Sequence, residues 1–147
     1  MKIAIGSDHA AFELKEELKK YLSINQYEYK DFGAYNEESV DYPDYTEKVC
    51  EGILSGKFDR GVLLCGTGIG MSIAANKFKG IYAALADNTF SAETARKHNN
   101  SNVLVLPGRL IGKDLGKAIL KIWLETEFEG GRHNKRLDKI KEIEKKI

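Results

Sequence analysis

The sequence predicts an α/β protein: a three-layer, doubly wound, Rossmann-like sandwich built on a five-stranded, mainly parallel sheet. Three observations carry this expectation. Short runs rich in Val, Ile and Leu alternate with amphipathic segments of helical period, the pattern of strands buried on both faces by connecting helices. The chain of 147 residues is long enough to bury one core without disulfides or metals, and no linker, repeat or low-complexity stretch divides it. Several apolar runs end in polar or glycine-rich clusters, as strands do where a parallel sheet gathers its ligands.

Taken in order, the first strand is expected at Ile3–Gly6, followed by a helix with Phe12, Leu14, Leu18 and Leu22 on one face. Tyr27–Phe32 reads as the second strand, and Val49, Ile53 and Leu54 mark the second helix. Gly61–Cys65 is the third strand, and the helix after it runs from about Ile69 to Phe78. Ile81–Ala86 and Asn102–Leu106 are the last two strands, separated by a helix from about Phe90 to His98. A longer helix carries Leu115, Ala118, Ile119, Ile122 and Trp123. After Gly130-Gly131 a charged segment, Asn134 to Lys146, keeps Leu137, Ile140, Ile143 and Ile147 on one narrow stripe. That stripe suits either a surface helix on its own domain or an arm reaching a partner subunit. Residues 1–147 are expected to form a single domain.

Composition removes several functional classes. A net charge of +1 gives no support to nucleic-acid or membrane-surface binding. No stretch approaches the roughly 18 apolar residues of a membrane span, and Asp8 arrives too early for a signal peptide. Two cysteines far apart in the chain read as reduced thiols. The expected location is the cytoplasm.

The chemistry concentrates in Cys65-Gly66-Thr67-Gly68-Ile69-Gly70, which closes the apolar run Gly61-Val62-Leu63-Leu64. A thiol at a strand end precedes three glycines at a helix start, where successive N–H groups can turn toward one anionic point. The dinucleotide fingerprint fails because the third glycine comes one residue early, and no Gly-Lys-Ser/Thr follows for a nucleoside triphosphate. A cysteine phosphatase needs an arginine where Met71 stands. Free cysteines are commonly inert and buried, a description that fits Cys50. Cys65, next to a helix N-terminus, is open to a role as nucleophile or as base.

Other candidates each have a plain structural alternative. Asp8-His9 follows the first strand, as a helix cap or as a pair binding hydroxyls or phosphate. His98-Asn99-Asn100 suits a helix C-terminus or a site. Arg132 and Arg136 share a helix face, as a solvated basic stripe or as a clamp for a dianionic phosphate. No His or Cys spacing resembles a zinc site.

Together, Gly6-Ser7-Asp8-His9-Ala10, Asp41-Tyr42-Pro43, Cys65 to Gly70, Ala74-Ala75-Asn76-Lys77, His98-Asn99-Asn100 and Gly130-Gly131-Arg132-His133 resemble the type B ribose-5-phosphate isomerases. That family also includes the galactose-6-phosphate isomerase subunits, and the matching pieces span nearly the whole chain. The resemblance implies reversible interconversion of ribose 5-phosphate and ribulose 5-phosphate, with Cys65 as the general base between C1 and C2. It implies that backbone N–H groups of Gly66, Thr67, Gly68, Ile69 and Gly70 stabilise an enediolate. Thr67 would hold or shuttle the hydroxyl proton and His98 would assist ring opening. Asp8, Tyr42 and Asn99 would bind the sugar, while His9, Arg109, Arg132 and Arg136 would receive the phosphate or its flank. It also implies no metal and no organic cofactor, and a homodimer or dimer of dimers with shared active sites.

Variants within the family sharpen this. One branch uses a glutamate just past the glycines, where this chain has Met71. The galactose-6-phosphate isomerases divide the cysteine loop and the arginine-rich tail between subunits, whereas this chain keeps both. Ala11 stands where glycine is frequent, and Pro107 precedes Gly108-Arg109. A sugar-phosphate binding module without turnover would keep the arginines and the loop but has no use for the thiol. Pocket length decides between five- and six-carbon substrates.

Overall fold

In the computed structural model, which describes residues 1–147, five strands form one sheet in the order β2-β1-β3-β5-β4. They are β1 (Lys2–Ser7), β2 (Glu28–Asp31), β3 (Arg60–Cys65), β4 (Ala83–Leu85) and β5 (Val103–Pro107). Every neighbouring pair is parallel, so the mainly parallel sheet expected is wholly so. The helices are α1 (Phe12–Ile24), α2 (Tyr42–Leu54), α3 (Ile69–Ala75), α4 (Thr89–Lys97), α5 (Lys113–Glu125) and α6 (Arg132–Glu144). A 3-10 turn at His9–Ala11 precedes α1. No helix is long and apolar enough to cross a membrane.

Alternation along the strands sorts the side chains into two cores. Ile3, Ile5, Val62, Leu64, Leu104 and Leu106 face α1, α4 and α5, where Leu14, Leu18, Ala92, Ile119 and Trp123 cover them. Ala4, Leu63, Cys65, Val103 and Val105 face the opposite way and pack with Val49 and Cys50 of α2 and Met71 and Ala75 of α3. The two-residue period thus aims Cys65 toward α2 and α3.

Two boundaries differ from expectation for one reason. The third helix stops at Ala75 rather than near Phe78, and the fourth strand pairs only over Ala83–Leu85. Asn76 turns its amide onto the exposed edge of β4, accepting from Ala83 N–H at 2.9 Å and donating to Ala83 C=O at 3.0 Å. A side chain thereby replaces a neighbouring strand and satisfies backbone groups that an open edge leaves unpaired.

Helix α6 packs through His133 and Leu137, both nearly covered, while Ile140, Ile143 and Ile147 stay exposed. Lys79 Nζ donates to the Ile147 carbonyl and Gly80 N–H to Glu144 Oε1, tying its end to the α3–β4 connection.

A buried ion pair braces the first strand. Lys15 is fully covered, and its Nζ donates to Asp31 Oδ1 at 2.8 Å and to the Ala34 carbonyl. Lys19 Nζ and Gly33 N–H also donate to Asp31, and the Gly33–Ala34 segment bonds both backbone groups of Ser7. Burial opposes ionisation of Asp31, but the donors outweigh it and hold its carboxyl below the usual range. Asp31→Ala leaves the Lys15 ammonium buried and unpaired, so a loss of about 3 kcal/mol is expected in urea unfolding at neutral pH. Because the folded pKa is depressed, this stability is present above the ordinary carboxylate range and disappears as pH falls through the folded value. The wild-type advantage should therefore shrink below about pH 4. A loss under about 1 kcal/mol at neutral pH would place the pair with ordinary surface bridges.

Candidate active site

The chain order reverses direction between β1 and β3, and at such a switch point the carboxyl ends of the strands leave a crevice. Asp8 and Cys65 stand there. Asp8 is nearly buried, and its Oδ1 accepts from Ala10 N–H at 3.0 Å, so it does cap the turn that follows β1. Its carboxylate also lies close enough to Cys65 to raise the thiol pKa. Cap and site neighbour are the same residue.

Cys65 ends β3 with only 4 % of its surface exposed. Burial pushes the thiol pKa up, and the nearby backbone N–H groups of Met71, Gly68 and Gly70 work against that rise. The glycine loop therefore lies beside the sulfur. Gly68 makes this approach possible: its φ is +78°, and a Cβ there would lie 2.4 Å from Leu85 Cδ1. Gly70 is needed for a close approach, since its Cβ would fall 2.5 Å from Tyr42 Cζ. Tyr42, at the first position of α2, thus lies over the loop. Thr67 is exposed, and its Oγ1 accepts from Ile69 N–H at 3.3 Å.

Arg109 follows β5, whose last residue, Pro107, pairs with Cys65. Its Cδ and Nη1 would stand 3.3 and 3.5 Å from a Cβ on Gly66, which places the guanidinium beside the loop. His9 accepts from Val40 N–H through Nδ1 and lines a cavity of about 800 Å³ with Gly108, Ile111 and Lys113. Asp8, His9, Tyr42, Cys65, Gly66 to Gly70 and Arg109 therefore share one edge of the sheet.

The remaining candidates lie at the opposite edge. Helix α4 returns from the carboxyl edge, so His98, which closes it, precedes β5 at the amino edge. Asn102 C=O accepts from Gly61 N–H there, and Gly61 is four residues upstream of Cys65. Four residues of strand span about 13 Å, so His98 and Cys65 of one chain cannot touch the same small molecule at the same carbon.

Around His98 a second cluster is assembled. The His98 and His133 rings stack with centroids 4.2 Å apart and planes 16° from parallel. His133 Nε2 lies 3.5 Å from Glu129 Oε2. Burial lowers the His133 pKa first, with His98 and Arg132 adding to the effect. Arg132 and Arg136 line an exposed cleft with Lys135 and Lys139. Asn99 is exposed beside Asn76, Tyr82 and Ile140. His133 and Glu129 were not among the residues the sequence nominated as site residues. Only the Gly130-Gly131-Arg132-His133 run hints at them.

Comparison with known proteins places the chain in a family. A model of the ribose/galactose isomerases matches residues 3–140. The chain belongs to the ribose/galactose isomerase family. A solved ribose 5-phosphate isomerase from Thermotoga maritima is 60 % identical, with a TM-score of 0.94 over 96 % of this chain and 97 % of that one. Ribose-5-phosphate isomerase B of Escherichia coli is 43 % identical over 99 % of this chain and 97 % of its own. A D-erythrulose-4-phosphate isomerase of Pectobacterium atrosepticum is 45 % identical, covering 95 % of this chain and 93 % of its own. This member of the ribose/galactose isomerases thus shares its fold along nearly its full length with relatives acting on four- and five-carbon sugar phosphates.

Proposed function

We propose that the protein interconverts ribose 5-phosphate and ribulose 5-phosphate by proton transfer through an enediolate, as a cytoplasmic homodimer or dimer of dimers. The observation that carries the reading is the Cys65 sulfur, nearly buried at the end of β3 where the glycine loop turns into the N-terminus of α3. In the aldose-to-ketose direction the Cys65 thiolate takes the C2 proton. The C2–H electron pair moves into a C1–C2 double bond, and the carbonyl π pair moves to O1, giving the enediolate. Returning the proton to C1, with transfer of the hydroxyl proton from O2 to O1, completes the ketose. Thr67 holds or shuttles that hydroxyl proton, and Asp8, Tyr42 and Asn99 bind the sugar. Backbone N–H groups between Gly66 and Gly70 stabilise the charge without reorganisation.

His98 suits ring opening because imidazole donates and accepts protons near neutral pH. Arg132 and Arg136, with Arg109 and His9 at the other edge, suit the phosphate, whose binding positions the reacting carbons. Since His98 and Cys65 of one chain stand at opposite sheet edges, the complete site takes one edge from each of two subunits. Exposed Ile69, Ile73, Leu85 and Phe90 around the cysteine loop supply an apolar surface for the second copy.

Proton transfer is tested by running ribulose 5-phosphate to ribose 5-phosphate in heavy water over many turnovers. Deuterium is expected at C2 of the aldose. An aldose free of deuterium after prolonged cycling would indicate a hydride shift and overturn the mechanism.

A further inference from the structure

We propose that His98, His133 and Glu129 form a reversible site for a divalent transition-metal ion of the zinc type, and that its occupation inhibits turnover. Binding rests on geometry alone, whereas inhibition rests on the ring-opening role assigned to His98 above.

One donor atom from each residue lies within 4.8 Å of the other two. Bonds of zinc length in a tetrahedral shell separate neighbouring ligand atoms by about 3.4 Å. The His133 Nε2 to Glu129 Oε2 distance, 3.5 Å, already matches that edge. Because the two rings are stacked nearly parallel, His98 must swing its ring well out of the stack so that its in-plane lone pair and that of His133 point at one ion. It is only partly covered and Glu129 is exposed, so both can adjust around the buried His133.

The backbone of all three is fixed. His98 N–H donates to Thr94 C=O at 2.8 Å, Glu129 N–H to Lys97 C=O at 3.1 Å, and His133 N–H to Gly130 C=O at 3.1 Å. The donors come from one chain, so the site is built within a single subunit. Two imidazoles and one carboxylate make a three-ligand set with an open fourth position. Such donors favour zinc, nickel or copper over magnesium and calcium. Arg132 and Arg136 stand near enough to disfavour a charged His133 and oppose a dication too, which sets the expected affinity at micromolar rather than nanomolar. A coordinated His98 lends its lone pair to the ion and has none left to accept a proton from the sugar ring, so it can no longer shuttle one.

The test is calorimetric titration of Zn2+ into the metal-free native assembly without substrate, with Co2+ absorbance reporting the ligand set. About one ion per chain is expected, bound through nitrogen and oxygen. Glu129→Gln should weaken binding about tenfold or more, and His133→Asn likewise, whereas Cys65→Ser should leave it unchanged. In activity assays Zn2+ should inhibit, a chelator should restore turnover, and Glu129→Gln should resist the ion while keeping its basal rate. Binding lost in Cys65→Ser but intact in the other two variants would assign the ion to the thiol and overturn the site. Absence of binding up to about 100 μM would overturn it as well. Binding at the trio without inhibition would uphold the site and overturn the inhibitory half, along with the role of His98.

Discussion

Cys65→Ala is expected to fold normally and to lose turnover by about a thousandfold, the scale of a positioned base. Folding should survive because the sulfur ends a strand and its removal leaves the backbone ladder to β1 and β5 intact. Turnover should not, because nothing nearby can replace the thiol. Met71, one position past the last glycine of the loop, is apolar and fully buried. Asp8 is held by Ala10 N–H and repels a second anion rather than relaying its proton. The pH profile gives a second readout from the same variant. Burial and Asp8 place the Cys65 thiol above the ordinary thiol pKa despite three opposing N–H groups, so little thiolate exists at neutral pH. Wild-type kcat/KM should therefore rise with pH between about 7 and 9, and the residual rate of the variant should lack that limb. A folded Cys65→Ala protein within about tenfold of wild type would overturn the assignment of the base.

The sheet is legible in the sequence because β-strands buried on both faces are read from apolar runs, and every run nominated does contribute a strand. What shifts is local and depends on tertiary partners. Whether Asn76 continues α3 or caps the edge of β4 depends on Ala83 being alongside, and no helical propensity encodes that. Lys15 occupies a helix position that charge alone assigns to solvent. Its burial follows from Asp31 arriving at the end of the next element, β2. At the carboxyl edge, Cys65 and Asp8 are legible because strand ends in a parallel sheet share one edge. The grouping of His98 with His133 is not, because it depends on how the connection between α5 and α6 folds back onto Lys97. The separation of His98 from Cys65 follows from topology: a helix that starts after one parallel strand ends before the next begins.

That separation leads to the other large effect. Cys65→Ala and His98→Asn should each be nearly inactive alone, yet recover activity when the two chains are unfolded together and reassembled. In the proposed two-fold assembly each site would draw Cys65 from one chain and His98 from its partner. A mixed pair then holds one site with both defects and one with neither. Random pairing makes half of the pairs mixed, so recovery of about one quarter of wild-type turnover is expected. A second mixture separates this from a trivial rescue. Wild-type chain paired at random with an equal amount of Cys65→Ala/His98→Asn chain leaves every mixed pair without an intact site. Turnover should fall to about one quarter of that of the same total amount of wild type if sites are shared. It should be about one half if each chain carries a complete site. Recovery no greater than the sum of the two single variants, together with the one-half result, would return His98 and Cys65 to a single subunit. The sheet would then have to bend by more than its own strand length to bring them together, which a hydrogen-bonded parallel ladder does not permit.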